Sequence, residues 1–132
     1  MKTVQDFIND FVKIEIIESS QSYGHYPFQL LGIKENGQMD IGALLLGGDI
    51  SAVYAAAKQF IRNGNKKVFL SVDFPAGLDI EHDFVAVYTF ENGKTEAILL
   101  PYDSETGEQF EPVTTGTMLN MVIEQFERIK NL

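Results

Sequence analysis

The 132 residues predict a single α+β domain, residues 1–132, with the element order αββαβββα. Three observations support this prediction. Apolar residues recur at helical spacing in three stretches, five apolar runs have the length of strands, and two Asn-Gly pairs each separate two such runs. We expect a mixed, mostly antiparallel sheet of about five strands, with the helices mainly on one face.

The first element is an amphipathic helix near the N-terminus. Its apolar residues follow the i, i+3, i+4, i+7 rule and are Val4, Phe7, Ile8, Phe11 and Val12. Ile14 and Ile16 alternate with charged residues, so the sequence leaves the end of this helix open. The polar and aromatic stretch 19–27 predicts a loop.

A β-hairpin follows the loop. Its strands are the apolar runs Phe28–Ile33 and Met39–Leu46, and Asn36-Gly37 lies between them. Asn-Gly tolerates the positive φ angles of a type I′ turn, which makes it a strong hairpin signal.

The middle helix lies between two glycine-containing breaks. Asp49 can cap its first turn, and Gly64 suits the left-handed position just beyond its last turn. The buried stripe of this helix comprises Ile50, Val53, Tyr54, Ala57, Phe60 and Ile61.

Three further strands and a helix complete the chain. Val68–Asp73 is a single strand, and Phe84–Glu91 with Thr95–Tyr102 forms a second hairpin about Asn92-Gly93. Glu91 and Lys94 flank that turn as an opposite-charge pair. Pro101 cannot donate to a neighbouring strand, which predicts that the fifth strand lies at an edge. The last helix is capped by Thr115 or Thr117, and its inner face comprises Leu119, Val122, Ile123, Phe126 and Ile129.

The helical connection between the second and third strands predicts that these two strands point in the same direction. Both Asn-Gly turns then fall at one edge of the sheet, which we call the turn edge. The other connections collect at the opposite edge, which we call the loop edge. Loops at one end of a rigid sheet are the usual place for a binding site.

The negative charge of the chain is concentrated in residues 73–111. This segment holds ten acids and one base, and the remaining residues hold nine of each. A field of this sign attracts cations or basic partners and repels nucleic acid and anionic membranes. The first twenty residues lack the apolar core of a signal peptide, and no apolar run is long enough to cross a bilayer, so we expect a cytoplasmic protein.

Several catalytic classes have no support in the sequence. The absence of Cys removes thiolate nucleophiles and Cys-based metal sites. No Gly-x-Ser-x-Gly motif is present, and Gly47-Gly48-Asp49 lacks the rest of a phosphate-binding loop. No cofactor is predicted.

The candidate binding residues are the aromatic and ionisable residues of the predicted loop edge. They are His25, Tyr26, Asp79, Glu81, His82, Asp83, Tyr102, Asp103 and Glu105. Carboxylates in such loops can also hold a hard divalent cation, and the candidate metal ligands are Asp73, Asp83, Asp103 and Glu105. The same residues would arise from solvated polar turns without any function.

Three functional hypotheses follow, and the third is a structural subunit whose acidity serves only solubility. The first is a non-enzymatic binding module that presents the acidic 73–111 loops to a basic protein partner. The alternative is a metal-dependent enzyme that uses the loop carboxylates, with His82 as acid or base. A homodimer through a sheet face is a further expectation, if the helices leave one face bare.

Overall fold

Five strands form one antiparallel sheet in the order β2-β1-β3-β4-β5. The structure is a computed structural model that describes residues 3–22, 28–44, 50–74, 83–103 and 105–130. The strands are β1 (Phe28–Lys34), β2 (Met39–Leu44), β3 (Asn65–Phe74), β4 (Asp83–Glu91) and β5 (Lys94–Tyr102). The predicted α+β class and element order are confirmed.

The helices lie before β1, between β2 and β3, and after β5. The N-terminal helix consists of α1 (Val4–Phe7), a π-helical stretch (Ile8–Val12) and α2 (Lys13–Ser22). The other two are α3 (Ile50–Arg62) and α4 (Thr117–Lys130). None of the helices within the described ranges combines the length and the apolar character needed to cross a bilayer.

Strand direction agrees with the prediction on which the loop edge depends. Each of the four strand pairs is antiparallel, including β1 with β2 and β1 with β3. Because β1 is antiparallel to both neighbours, β2 and β3 point in the same direction with β1 between them. The sheet is thus antiparallel throughout its described strands, and β5 lies at an edge as Pro101 predicts.

The N-terminal helix is longer than the sequence suggests. Thr3 caps it through a reciprocal pair of hydrogen bonds with Asp6, each 3.2 Å long. In an ordinary α-helix, residues four apart are rotated slightly relative to one another around the helix axis. The wider turn of the π-helical stretch reduces this rotation, and Ile8, Val12 and Ile16 are all buried against the sheet. The helix continues through Ser22, so the loop predicted for 19–27 is wrong for 19–22, and residues 23–27 lie outside the described ranges.

Both faces of the sheet are covered by helices. On one face, α3 and α4 pack Tyr54 and Phe126 against strand residues such as Leu70 and Tyr88. On the other face, the N-terminal helix packs against apolar residues of four strands, which include Leu31, Phe69, Val85 and Leu100. The helices lie mainly on one face, as expected, but the second face is not bare, and its exposed apolar residues lie on β2. The expected homodimer through a sheet face stays a prediction, and the apolar sheet surface left exposed for it is small.

The two Asn-Gly turns have different geometries. Asn92 and Gly93 both have positive φ, 55° and 77°, as a two-residue type I′ turn requires. In the first hairpin only Gly37 has positive φ, and its N–H donates to the Lys34 carbonyl over 2.9 Å. This is a three-residue loop, so the hairpin was predicted correctly and its turn type was not.

Candidate functional site

The loop edge brings together the strand ends predicted to meet there. Phe28 pairs with Leu44, Phe74 pairs with Phe84, and Asp83 pairs with Tyr102. The metal candidates and four of the candidate binding residues are among the described residues. The others lie outside the described ranges, and their placement is untested: His25, Tyr26, Asp79, Glu81 and His82.

Tyr102 is bonded to a carboxylate within the fold. Its hydroxyl donates to Asp73 Oδ1 over 2.6 Å, and the residue is only 4% exposed. The bond ties the end of β5 to the end of β3 across β4, because Asp73 is opposite Val85 and Tyr102 is opposite Asp83. The pair holds the loop edge together, and a binding role for Tyr102 stays a prediction.

Asp103 organises the turn that follows β5. Its Oδ1 accepts hydrogen bonds from the backbone N–H groups of Glu105 and Thr106, at 2.8 and 3.2 Å. Its own N–H donates to the Glu108 carbonyl, and its carbonyl accepts from Gly107. An Asp that bonds to the backbone of its own turn is a common structural device. The local geometry therefore gives Asp103 a structural role whether or not it also binds a ligand.

Residues 105–113, which we call the strap, cross the outer edge of β5. Leu99 and Val113 exchange backbone hydrogen bonds of 3.0 and 2.8 Å, and the Phe110 N–H donates to the Pro101 carbonyl. Gln109 Nε2 donates to the Lys13 carbonyl and so ties the strap to the N-terminal helix. An exposed strand edge invites pairing with other chains, so the strap protects half of β5.

The strap carries three exposed carboxylates along the outer edge of β5. Glu105, Glu108 and Glu111 are all exposed, and within the described residues none of them has an ion-pair partner. Glu108 and Glu111 were not among the candidate site residues. The sequence does contain one indication of their position, since Pro101 predicts the end of an edge strand and regularly spaced acids follow it. The strap itself, however, depends on pairing with β5, which the sequence does not reveal.

The turn edge has the opposite character. Three ion pairs between described residues lie there: Lys34 with Asp40, Lys66 with Glu35 and Lys67 with Glu91, at 3.6, 3.3 and 3.4 Å. Glu91 and Glu96 belong to the acidic segment but lie at this edge, where lysines offset them. The excess negative charge of the described residues is therefore concentrated at the loop edge.

The structure gives no direct support to a metal centre. Within the described residues, no three His, Asp or Glu side chains come together as a cation site requires. Asp79, Glu81 and His82 lie outside these residues, so the metal-dependent alternative stays a prediction.

A groove of about 430 Å³ lies beside the uncovered half of β5. Its lining includes Val4 from the N-terminal helix, Thr95 and Ala97 from β5, and Leu119 from α4. It contains none of the predicted site residues and lies away from the loop edge. Glu96 of the acidic segment also lines the groove, but none of the carboxylates of the loop edge does.

Comparison with protein-family models, with curated proteins and with solved structures finds no match to this chain. The functional argument therefore rests on the geometry and charge of the chain itself.

Proposed function

We propose that this protein is a non-enzymatic binding module that presents its acidic loop edge to a basic protein partner. The observation that supports the proposal is the separation of charge along the strands. Lysines and paired acids lie at the turn edge, while the strap carries exposed carboxylates without an ion-pair partner among the described residues. Such a field steers a basic partner towards one end of the molecule and fixes its orientation.

The strap is suited to presenting these charges. Backbone hydrogen bonds to Leu99 and Pro101 hold it on β5, and Asp103 fixes the turn before it. Charges held on a rigid backbone lose little conformational entropy when a partner binds, which favours affinity. The like charges of this segment create a negative potential that Lys or Arg on the partner would complement.

A comparison of two charge-neutralised variants tests the proposal. The strap variant combines Glu105→Gln, Glu108→Gln and Glu111→Gln. The control combines Asp10→Asn, Glu18→Gln and Glu124→Gln, which removes as many exposed carboxylates from two helices. Each tagged protein is incubated with cell extract at about 0.15 M salt, where screening limits non-specific attraction to roughly 8 Å.

We expect the wild type and the control to retain the same basic proteins and the strap variant to lose them. Retention of the same proteins by the strap variant would contradict the proposal, as would an equal loss in the control. A rise in melting temperature on addition of Ca²⁺, Mg²⁺ or Mn²⁺ would instead favour the metal-dependent alternative.

A further inference from the structure

The outer edge of β2 differs from that of β5. In the first hairpin the Lys34 N–H donates to the Gln38 carbonyl over 2.8 Å. This bond identifies Lys34 and Gln38 as a hydrogen-bonded pair and so determines which of the following pairs are hydrogen-bonded. Hydrogen-bonded pairs alternate in an antiparallel ladder, so Asp40 and Gly42 direct their backbone groups towards β1. Met39, Ile41 and Ala43 therefore direct their N–H and C=O groups outwards. No described residue pairs with them.

The same edge exposes apolar side chains. Met39 and Ile41 are 47% and 66% exposed, and Ile41 is the most exposed large apolar residue in the described part of the chain. Both are on the face covered elsewhere by the N-terminal helix, since they pair with Ile33 and Leu31. Strand edges are normally protected by Pro, Lys, a bulge or a covering segment. β2 contains no Pro or Lys and has a regular register with β1, whereas β5 has both Pro101 and the strap.

We infer that β2 pairs with β2 of a second copy of this chain around a two-fold axis at Ile41, which forms a continuous ten-stranded sheet. In this register Ile41 is opposite Ile41 of the second copy, and Met39 is opposite Ala43. These are the residues whose backbone groups point outwards, so they form the hydrogen-bonded pairs of the new ladder. Both exposed apolar side chains of β2 become partly buried.

The side chain of Asp40 selects this register. With the axis at Ile41, Asp40 is opposite Gly42, which has no side chain. Moving the axis to Asp40 would place two carboxylates directly opposite each other, which is destabilising. Moving it to Gly42 would pair Ile41 with Ala43 and place Met39 opposite residue 45, which is outside the described ranges.

The charge distribution favours a second copy at this edge rather than at β5. The β1–β2 hairpin contains one lysine and two acids, Lys34, Glu35 and Asp40, and Lys34 pairs with Asp40 over 3.6 Å. β5 lies four strand spacings from β2, about 19 Å, and the strap lies beyond β5. That distance exceeds the screening length of roughly 8 Å at physiological salt, so the carboxylates of the strap do not oppose the pairing. The two loop edges would point in opposite directions, and the dimer would present two acidic surfaces.

Single cysteines test both the dimer and its register, because the natural chain contains none. Directly opposite, hydrogen-bonded residues have Cα atoms about 5.5 Å apart, within the disulfide range of roughly 4.4–6.8 Å. Ile41→Cys should therefore form a disulfide-linked dimer rapidly under mild oxidation. Met39→Cys is the matched control on the same strand and face, because its two copies would lie about 14 Å apart along the strands.

Light scattering completes the test by measuring the mass of the wild type and of Ile41→Lys. Met121→Lys is the control, because it adds the same charge at another exposed apolar residue. We expect the mass of two chains for the wild type and for Met121→Lys. Ile41→Lys should give the mass of one chain with an unchanged circular dichroism spectrum. A monomeric wild type, a dimeric Ile41→Lys, or equal cross-linking of the two cysteine variants would each overturn the inference. None of these results depends on the proposed basic partner.

Discussion

The hydroxyl oxygens of Tyr54 and Tyr88 lie 2.6 Å apart in the core between α3, β4 and α4. Tyr88 also donates to the Val122 carbonyl over 3.3 Å, which makes Tyr54 the donor to Tyr88. Both rings are almost fully buried, and both pack against Phe126 with centroid distances of 5.1 Å. This chain of bonds satisfies two hydroxyl groups that water does not reach.

The order of donation predicts unequal effects of removing the two hydroxyls. Tyr88→Phe removes the acceptor of Tyr54 and leaves a buried hydroxyl without a partner, which we expect to cost about 1–3 kcal/mol. Tyr54→Phe leaves the bond from Tyr88 to Val122 intact, and we expect it to cost about 1 kcal/mol. Urea denaturation of both variants measures the difference. A Tyr54→Phe variant that is the less stable of the two would contradict the assigned direction.

The same pair predicts loss of stability at high pH. Burial raises the pKa of Tyr54 to about 12 and raises that of Tyr88 further, because the phenolate would be desolvated. The unfolded chain binds these protons less tightly, with a pKa of about 10. The contribution of the pair to stability is therefore complete below pH 10 and is lost as the pH rises towards 12 and beyond.

Near-ultraviolet titration of tyrosinate provides the measurement. Tyr54 and Tyr88 should ionise only together with unfolding. Reversible ionisation of both with ordinary pKa values in the folded state would show that the pair is not buried as described.

Asn65 joins the end of α3 to the β1–β2 hairpin. Its Nδ2 donates to the Phe60 carbonyl at 2.8 Å and to Asp40 Oδ2 at 3.0 Å. The side chain occupies the space beside Gly32, where an added Cβ would lie 2.5 Å from Asn65 Cγ. We therefore expect Gly32→Ala to destabilise the protein by about 1–3 kcal/mol through overpacking.

A double-mutant cycle identifies the cause of that effect. Asn65→Ala removes two hydrogen bonds but opens the space that Gly32→Ala would fill. The cost of Gly32→Ala should therefore fall by about 1 kcal/mol or more in the Asn65→Ala background. Strict additivity of the two substitutions would show that the close approach does not limit the residue at position 32.

Asp103 is expected to hold the strap on β5. Asp103→Ala removes the acceptor of two backbone N–H groups, at Glu105 and Thr106, and we expect a cost of about 1 kcal/mol. Local opening should increase more than global unfolding, since the turn lies at the surface. Hydrogen exchange at the Leu99 and Val113 amides should therefore accelerate more than exchange at Leu70 in the central strand β3. Uniform acceleration at all three would exclude a local role for Asp103.

The element order and the orientation of the loops followed from local signals. Periodicity placed the helices, and the Asn-Gly pairs placed both hairpins. Non-local pairing was harder to predict. Glu91 is opposite Lys94 in its own hairpin, as expected, but its ion pair is with Lys67, its neighbour in β3. The partner strand of Glu91 on that side could not be known from the sequence.

The candidate site was predicted less completely than the fold. Asp103 and Tyr102 were selected as polar groups in a loop, yet both make hydrogen bonds within the fold. Glu108 and Glu111 gain importance only because the strap follows the edge of β5. Their position beside β5 results from the pairing of Leu99 with Val113 and of Tyr102 with Gln109, and no local pattern of residue types encodes that pairing.

Mapping the binding of a lysine-rich peptide by amide chemical shifts tests the central claim most directly, because it locates the acidic surface without knowledge of the natural partner. We predict saturable shifts at residues 105–111 and at the loop ends of β4 and β5, weakened by salt and lost in the strap variant. Shifts spread evenly over both edges, or confined to the turn edge around Glu91 and Glu96, would contradict the claim that the loop edge is the recognition surface.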